Sequence, residues 1–175
     1  MNSVYLSKPG VVCCAGLDSS ELWNSVTAGT QKGIRKVTAV SGDEFYAGRI
    51  DDDKIKPASA RYDMRIHRIQ EMALDQIAGA VEDAVKKYGN DRIAVCVGSC
   101  DNGTEFSLAG HRTYFENQKF DEGYSIEMQG ADYPATFVKE KFSLGGPCLS
   151  FSTACSSSAE ALIKGAQLLN SGLVD

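Results

Sequence analysis

Apolar residues at helical spacing from about residue 65 to 88, followed almost at once by a compact strand-like run over residues 92–97, constrain this chain most. Ile69, Met72, Ala73, Ile77, Ala80, Val81, Ala84, Val85 and Tyr88 share one helical face, and Gly89-Asn90 is a stop signal. A helix feeding such a strand, which ends at Gly98, joins parallel strands by a right-handed crossover. Upstream, Val4-Tyr5-Leu6 reads as a first strand and Pro9-Gly10 and Gly16 as loop punctuation. Asp18 reads as a helix cap with Glu21 three residues on, as in a capping box. Leu22, Trp23 and Val26 are expected to face the core of that helix, which stops at Gly29. Residues 45–50 read as a minor extended piece and Asp51-Asp52-Asp53 as a solvated turn. Downstream, residues 101–131 form a polar excursion with a helix around 105–115. A further helix opens at Asp132 or Tyr133, has Pro134 in its first turn and runs to about Phe142. The order βα, βα, excursion, βα defines an α/β domain, and 175 residues suffice for one domain with a real core.

The last βα unit carries the chemistry. Residues 147–151 read as a short buried strand, after which Ser152-Thr153-Ala154-Cys155-Ser156-Ser157-Ser158 leads into a helix. Cys155, Ala159, Leu162, Ala166 and Leu169 follow a 4,3,4,3 spacing, expected to be the core face, and Gly172 stops the helix. Cys155 is therefore expected at a helix N-terminus, where unpaired N–H groups and the helix dipole favour a thiolate. Small neighbours keep the sulfur reachable. The site also lies beyond the carboxyl end of a strand, where α/β sheets bind ligands.

Bulk properties exclude other classes. Net charge is −5, against a nucleic-acid surface. No apolar run approaches the roughly 20 residues of a membrane span, and no secretion signal is visible at the N-terminus. The six cysteines lack paired spacing, which points to a reducing cytoplasm with no disulfide framework and no metal site. No phosphate-loop pattern occurs, Asn102-Gly103-Thr104 included. His67 and His111, the only histidines, read as ordinary surface or semi-buried residues.

Gly146-Pro147, Thr153-Ala154-Cys155-Ser156-Ser157-Ser158 and Gly172-Leu173-Val174-Asp175 resemble the active-site segment of the β-ketoacyl synthases, of the thiolase-like superfamily. Ala47-Gly48-Arg49-Ile50, Arg68-Ile69-Gln70 and the small-residue loop after Ile93 extend the resemblance over nearly the whole chain. It implies the N-terminal half of a thiolase-like fold, a mostly parallel mixed sheet with helices on both faces, truncated before its last strand. It implies a 3-oxoacyl-[acyl-carrier-protein] synthase in which Cys155 is the nucleophile and its N–H serves the oxyanion. Thr153 is a substrate-binding residue on this reading. Gly98, Ser99 and Cys100 read either as the border of an acyl pocket or as a simple turn. Arg61, Arg65 and Arg68 read either as a docking patch for an acidic acyl carrier protein or as a solvated helix face. Phe106, Tyr114, Phe115 and Met128 read as pocket, dimer or packing residues.

No cofactor is implied beyond the phosphopantetheine that carries the substrates. The partners implied are the carrier, and either a second copy or a related synthase subunit, with no nucleic acid and no membrane span. The neighbouring readings are a thiolase acting on coenzyme A thioesters and a non-catalytic partner subunit. A cysteine hydrolase would need His67 or His111 beside Cys155. The two catalytic histidines, or one His and one Asn, belong on this resemblance to a second half beyond Asp175. A sheet lacking its next strand exposes an edge and apolar surface, so this chain alone is expected to be unstable or to associate with another chain. Sedimentation and thermal scans showing a monomer with a cooperative melt would contradict that.

Overall fold

The computed structural model of the protein describes residues 3–39, 41–58, 63–101 and 103–175. They form two compact units, one of Leu6–Gly79 and one of Ala80–Asp175 together with the N-terminal residues up to Tyr5.

In the first unit, α1 (Ser19–Thr27) begins where its cap places it. The Asp18 carboxylate accepts from the Ser20 and Glu21 amides at 2.7 and 2.8 Å, and the Glu21 carboxylate accepts from the Leu17 amide at 2.8 Å. Leu22 is half-buried, but Trp23 and Val26 are 67% and 62% exposed rather than in the core. The packed side of this short helix is the one carrying Leu22 and Ser25, whose hydroxyl donates to Ala15 O. Strands β1 (Ile34–Thr38) and β2 (Glu44–Gly48) form an antiparallel hairpin, with Ile34 opposite Gly48 and Thr38 opposite Glu44. The Arg35-Lys36 pair interrupts any apolar alternation in β1, which is why only its partner was legible as extended chain.

The three aspartates after the hairpin organise cations. Asp51 binds Arg35 and Lys54, while Asp52 binds Arg49 and Arg65. Arg65 and Arg68 lie on α2 (Arg65–Asp75), and the Arg68 guanidinium donates to both oxygens of Asp63 at 2.6 and 2.9 Å. His67, on the same helix, is fully buried rather than at the surface. The expected single helix over 65–88 is two, α2 and α3 (Ala78–Tyr88). The Gln76 side chain at the break accepts from the Val11 amide and donates to the Val11 and Leu17 carbonyls. The apolar phase continues across this break, so periodicity alone does not show it.

The second unit holds β3 (Val95–Gly98), α4 (Thr104–Asn117), α5 (Tyr133–Lys141), β4 (Cys148–Phe151) and α6 (Ser157–Asn170). β3 and β4 are parallel, with Val95 opposite Cys148 and Gly98 opposite Phe151. Val95, Ala135 and Leu144 form the core, joined by Val81, Val85, Ile93, Val97, Val138, Phe142 and Cys148. Pro134 opens α5 as expected. Val4 and Tyr5 are exposed and join no ladder among the described residues, contrary to the expected first strand. The fold class is α/β, as expected, but among the described residues its sheets are one parallel pair and one hairpin.

The packing of α6 departs from its expected face. Its buried side carries Ser157 and Ala161, with Lys164, Gly165 and Leu168 half-buried, and it packs on β3 and β4. Leu162 and Leu169 are exposed, at 58% and 39%. Ala166, on the expected face, is half-buried, and the close approach of helix to strand is that of the first turn to Gly98. Among the described residues no helix is long and apolar enough to cross a membrane.

The ion pairs predict an acid response. Hydrogen bonds from Arg35 to Asp51, from Arg49 to Asp52 and from Arg68 to Asp63 hold these carboxyls below the ordinary aspartate range. Such groups contribute stability above the unfolded value of about 3.9 and lose it as pH falls through the lower folded value. The melting temperature is therefore expected to drop below about pH 4, and to drop less in Asp51→Asn. An unchanged melting temperature down to about pH 2.5 would contradict this.

Candidate active site

The carboxyl ends of β3 and β4 coincide, and the loops leaving them meet. The Ser99 amide donates to Phe151 O at 3.0 Å, extending the ladder by one bond. Gly98 lies directly against the first turn of α6: a Cβ there would meet the Ser157 carbonyl carbon and oxygen at 2.4 Å and Ser158 N at 2.6 Å. Only glycine permits this approach, because the obstruction is backbone.

After Phe151 the chain reverses through a tight elbow. Ala154 has φ +53°, in the left-handed region, at a cost of about 1–2 kcal/mol for a residue with a side chain. Residues Ala154–Ser156 form a 3₁₀ turn, and α6 starts only at Ser157. Cys155 thus precedes the α-helix instead of opening it. Its thiol is exposed. Its N–H makes no hydrogen bond to another group among the described residues.

Ser157 closes the elbow. Its buried hydroxyl accepts from the Thr153 amide at 2.9 Å and donates to Ala154 O at 2.8 Å. The Ser156 hydroxyl donates to Thr153 O at 2.9 Å and lies 3.0 Å from Thr153 Oγ1. From the other loop, Cys100 Sγ lies 3.5 Å from Ala154 O and 3.6 Å from Ser157 Oγ. Gly98 and Cys100 therefore lie against the elbow that carries Thr153 and Cys155, while Ser99 is bonded to the end of β4.

The loop carrying Cys100 is itself tied down. The Asp101 amide donates to Ser99 Oγ at 3.1 Å, and Asp101 Oδ1 accepts from Gly103 N at 2.7 Å and Tyr133 Oη at 2.5 Å. Burial first, then the bond to Asp101, hold the Tyr133 hydroxyl well above the ordinary tyrosine range, so it stays a donor. Burial likewise pushes the Cys96 and Cys148 thiols up, disfavouring their reactive thiolates. Ser157, Asp101 and Tyr133 were not singled out from sequence. Serine four residues after the threonine was the available signal for the first, whereas the Asp101–Tyr133 pair spans 32 positions and has no local signature.

Other expected residues sit on other elements of the chain. Arg65 and Arg68 belong to the Leu6–Gly79 unit, each beside an aspartate. Arg61 and Asn102 lie outside the described residues. His67 is in that first unit, and the His111 ring contacts Ser107 O at 2.8 Å and the Phe120 and Tyr124 rings. Phe106 stacks on Tyr124 and Tyr114 on Phe120, Met128 is buried, and Phe115 is 74% exposed.

Two substitutions test this geometry. Gly98→Ala forces β3 away from α6 and is expected to lower the melting temperature and slow alkylation of Cys155. Ser157→Ala strips the elbow of two hydrogen bonds and is expected to cost about 1–3 kcal/mol. Denaturant unfolding that leaves both variants at wild-type stability would contradict the elbow's dependence on them.

The family model described as "Beta-ketoacyl synthase, N-terminal domain" matches residues 9–175. A chain of the solved complex of the ketosynthase ApeO with its chain length factor ApeC, from Xenorhabdus doucetiae, superposes with a TM-score of 0.84 at 26% identity. The match covers 98% of this chain and 44% of that one. No curated protein matches. Fold, elbow and family match agree, and the chain belongs to the β-ketoacyl synthase family, of which it carries the N-terminal domain.

Proposed function

We propose that the protein is a 3-oxoacyl-[acyl-carrier-protein] synthase acting in fatty acid or polyketide synthesis, with Cys155 as its nucleophile. The observation that carries this reading is the exposed Cys155 thiol on a strained elbow beyond the carboxyl ends of two parallel strands, with its own N–H bonded to no group among the described residues. In the first stage the Cys155 thiolate attacks the carbonyl carbon of a carrier-bound acyl thioester. The carrier's thiolate leaves, and a new thioester joins the acyl group to Cys155. The Cys155 N–H donates to the oxyanion that forms in between. In the second stage a malonyl thioester loses carbon dioxide, and the resulting carbanion attacks the acyl-Cys155 carbonyl. The thiolate of Cys155 departs, leaving a β-ketoacyl thioester two carbons longer on the carrier.

Gly98, Ser99, Cys100 and Thr153 line the acyl side on this reading. Arg65 and Arg68, with Arg61, are candidate contacts for an acidic carrier, and the aspartates beside the first two favour their serving as a solvated face. Pairing with a second copy or a related synthase subunit is proposed by analogy with the ApeO–ApeC complex, in which a ketosynthase sits with its chain length factor.

Iodoacetamide treatment of the complete synthase tests the assignment. It is expected to alkylate Cys155 ahead of Cys13 and Cys100 and to abolish condensation in step with that label. Cys96 and Cys148, half-buried with burial raising their thiols, are expected to label more slowly than Cys155. Preferential labelling of Cys13 or Cys100, or activity surviving full alkylation of Cys155, would overturn it.

A further inference from the structure

We infer that Tyr133 is a positioning residue for acyl binding: through Asp101 it fixes the loop that holds Cys100 beside the Cys155 elbow. This rests on the reading of Cys155 as the acylated nucleophile. Tyr133 is 2% exposed and opens α5. The segment before it is fixed to β4, because the Ser150 hydroxyl donates to Ala131 O at 2.6 Å. From that anchored position Tyr133 Oη donates to Asp101 Oδ1 at 2.5 Å, and the same oxygen takes the Gly103 amide at 2.7 Å. Gly103 packs closely on the segment before α5: it has φ +65°, and a Cβ there would meet Met128 O at 1.8 Å. At the other end of the loop, Ser99 is bonded to Phe151 O at 3.0 Å. The loop is therefore pinned at Ser99 to β4 and at Asp101 and Gly103 to the tyrosine, and Cys100 stands between the pins.

A hydroxyl buried against a carboxylate forms one of the stronger hydrogen bonds. Its removal frees the loop while leaving the aromatic ring in place to fill its space. An acyl chain resting against Cys100, which itself touches the elbow, would then be bound in a less fixed position, and displacement of about 1 Å at a site costs rate or affinity out of proportion to its size. The elbow has its own clamp in Ser157, so intrinsic reactivity of the Cys155 thiol should not follow the tyrosine.

The test uses the complete synthase and octanoyl-pantetheine as acyl donor. Acylation of Cys155 is followed by mass spectrometry in Tyr133→Phe, Asp101→Ala, Asp101→Asn and the double variant Tyr133→Phe/Asp101→Ala. Tyr133→Phe and Asp101→Ala are each expected to raise KM about tenfold with kcat within about twofold. The rate of Cys155 alkylation by iodoacetamide should also stay within about twofold in both. Asp101→Asn keeps an acceptor oxygen and is expected to recover most of the loss. The double variant should be no worse than either single one, since both remove the same bond. An unchanged KM in Tyr133→Phe, or additive losses in the double variant, overturns the inference while leaving Cys155 as nucleophile. Wild-type enzyme that takes no acyl group at Cys155 overturns the function on which it rests. Should Tyr133→Phe not fold, Asp101→Ala and Asp101→Asn decide, and equal KM values in those two overturn the inference.

Discussion

The close approach of Gly98 to the first turn of α6 is the constraint on which the rest of the site depends. It brings the ends of β3 and β4 under the same helix, so the two loops that leave them must share one small space. It also removes the room in which residues 152–156 could relax, and the chain turns through Ala154 in the left-handed region. A conformation costing about 1–2 kcal/mol persists only where its surroundings over-determine it. Here the surroundings are the Ser157 hydroxyl, bonded to the backbone on both sides of the turn, and Gly98, which lets the first turn of α6 sit close.

That arrangement sorts the cysteines by environment. Cys96 and Cys148 lie on the parallel strands, where burial disfavours the thiolate. Cys155 and Cys100 lie on the loops beyond those strands and are exposed. Two exposed thiols are thus presented at one end of the sheet, while the two half-buried thiols on the strands are disfavoured as thiolates. The strand pairing ends at Gly98 and Phe151, with one further bond from Ser99, and both exposed thiols lie beyond it.

Much of this was legible in the sequence. The Asp18 cap, Pro134 in the first turn of α5, the β3 and β4 strands and the Cys155 junction follow from local chemistry that acts over a few residues. What was missed depends on contacts distant in sequence. The break at Gln76 is set by carbonyls near residues 11 and 17, while the apolar phase runs on undisturbed. Strand β1 is held by a hairpin partner and by Arg35 on Asp51, not by its own alternation. On α6 the expected face holds only in part: Ala166 is half-buried, but Leu162 and Leu169 lie on the open side and Ser157 and Ala161 on the packed one.

Mapping the acyl adduct measures the central claim directly. The complete synthase is incubated with an acyl-pantetheine donor, quenched in acid, digested and sequenced by mass spectrometry. The account predicts one acyl group per active chain, on the peptide spanning the elbow, at Cys155. An adduct on Cys100 or Cys13, or acyl turnover with no adduct at Cys155, would contradict it.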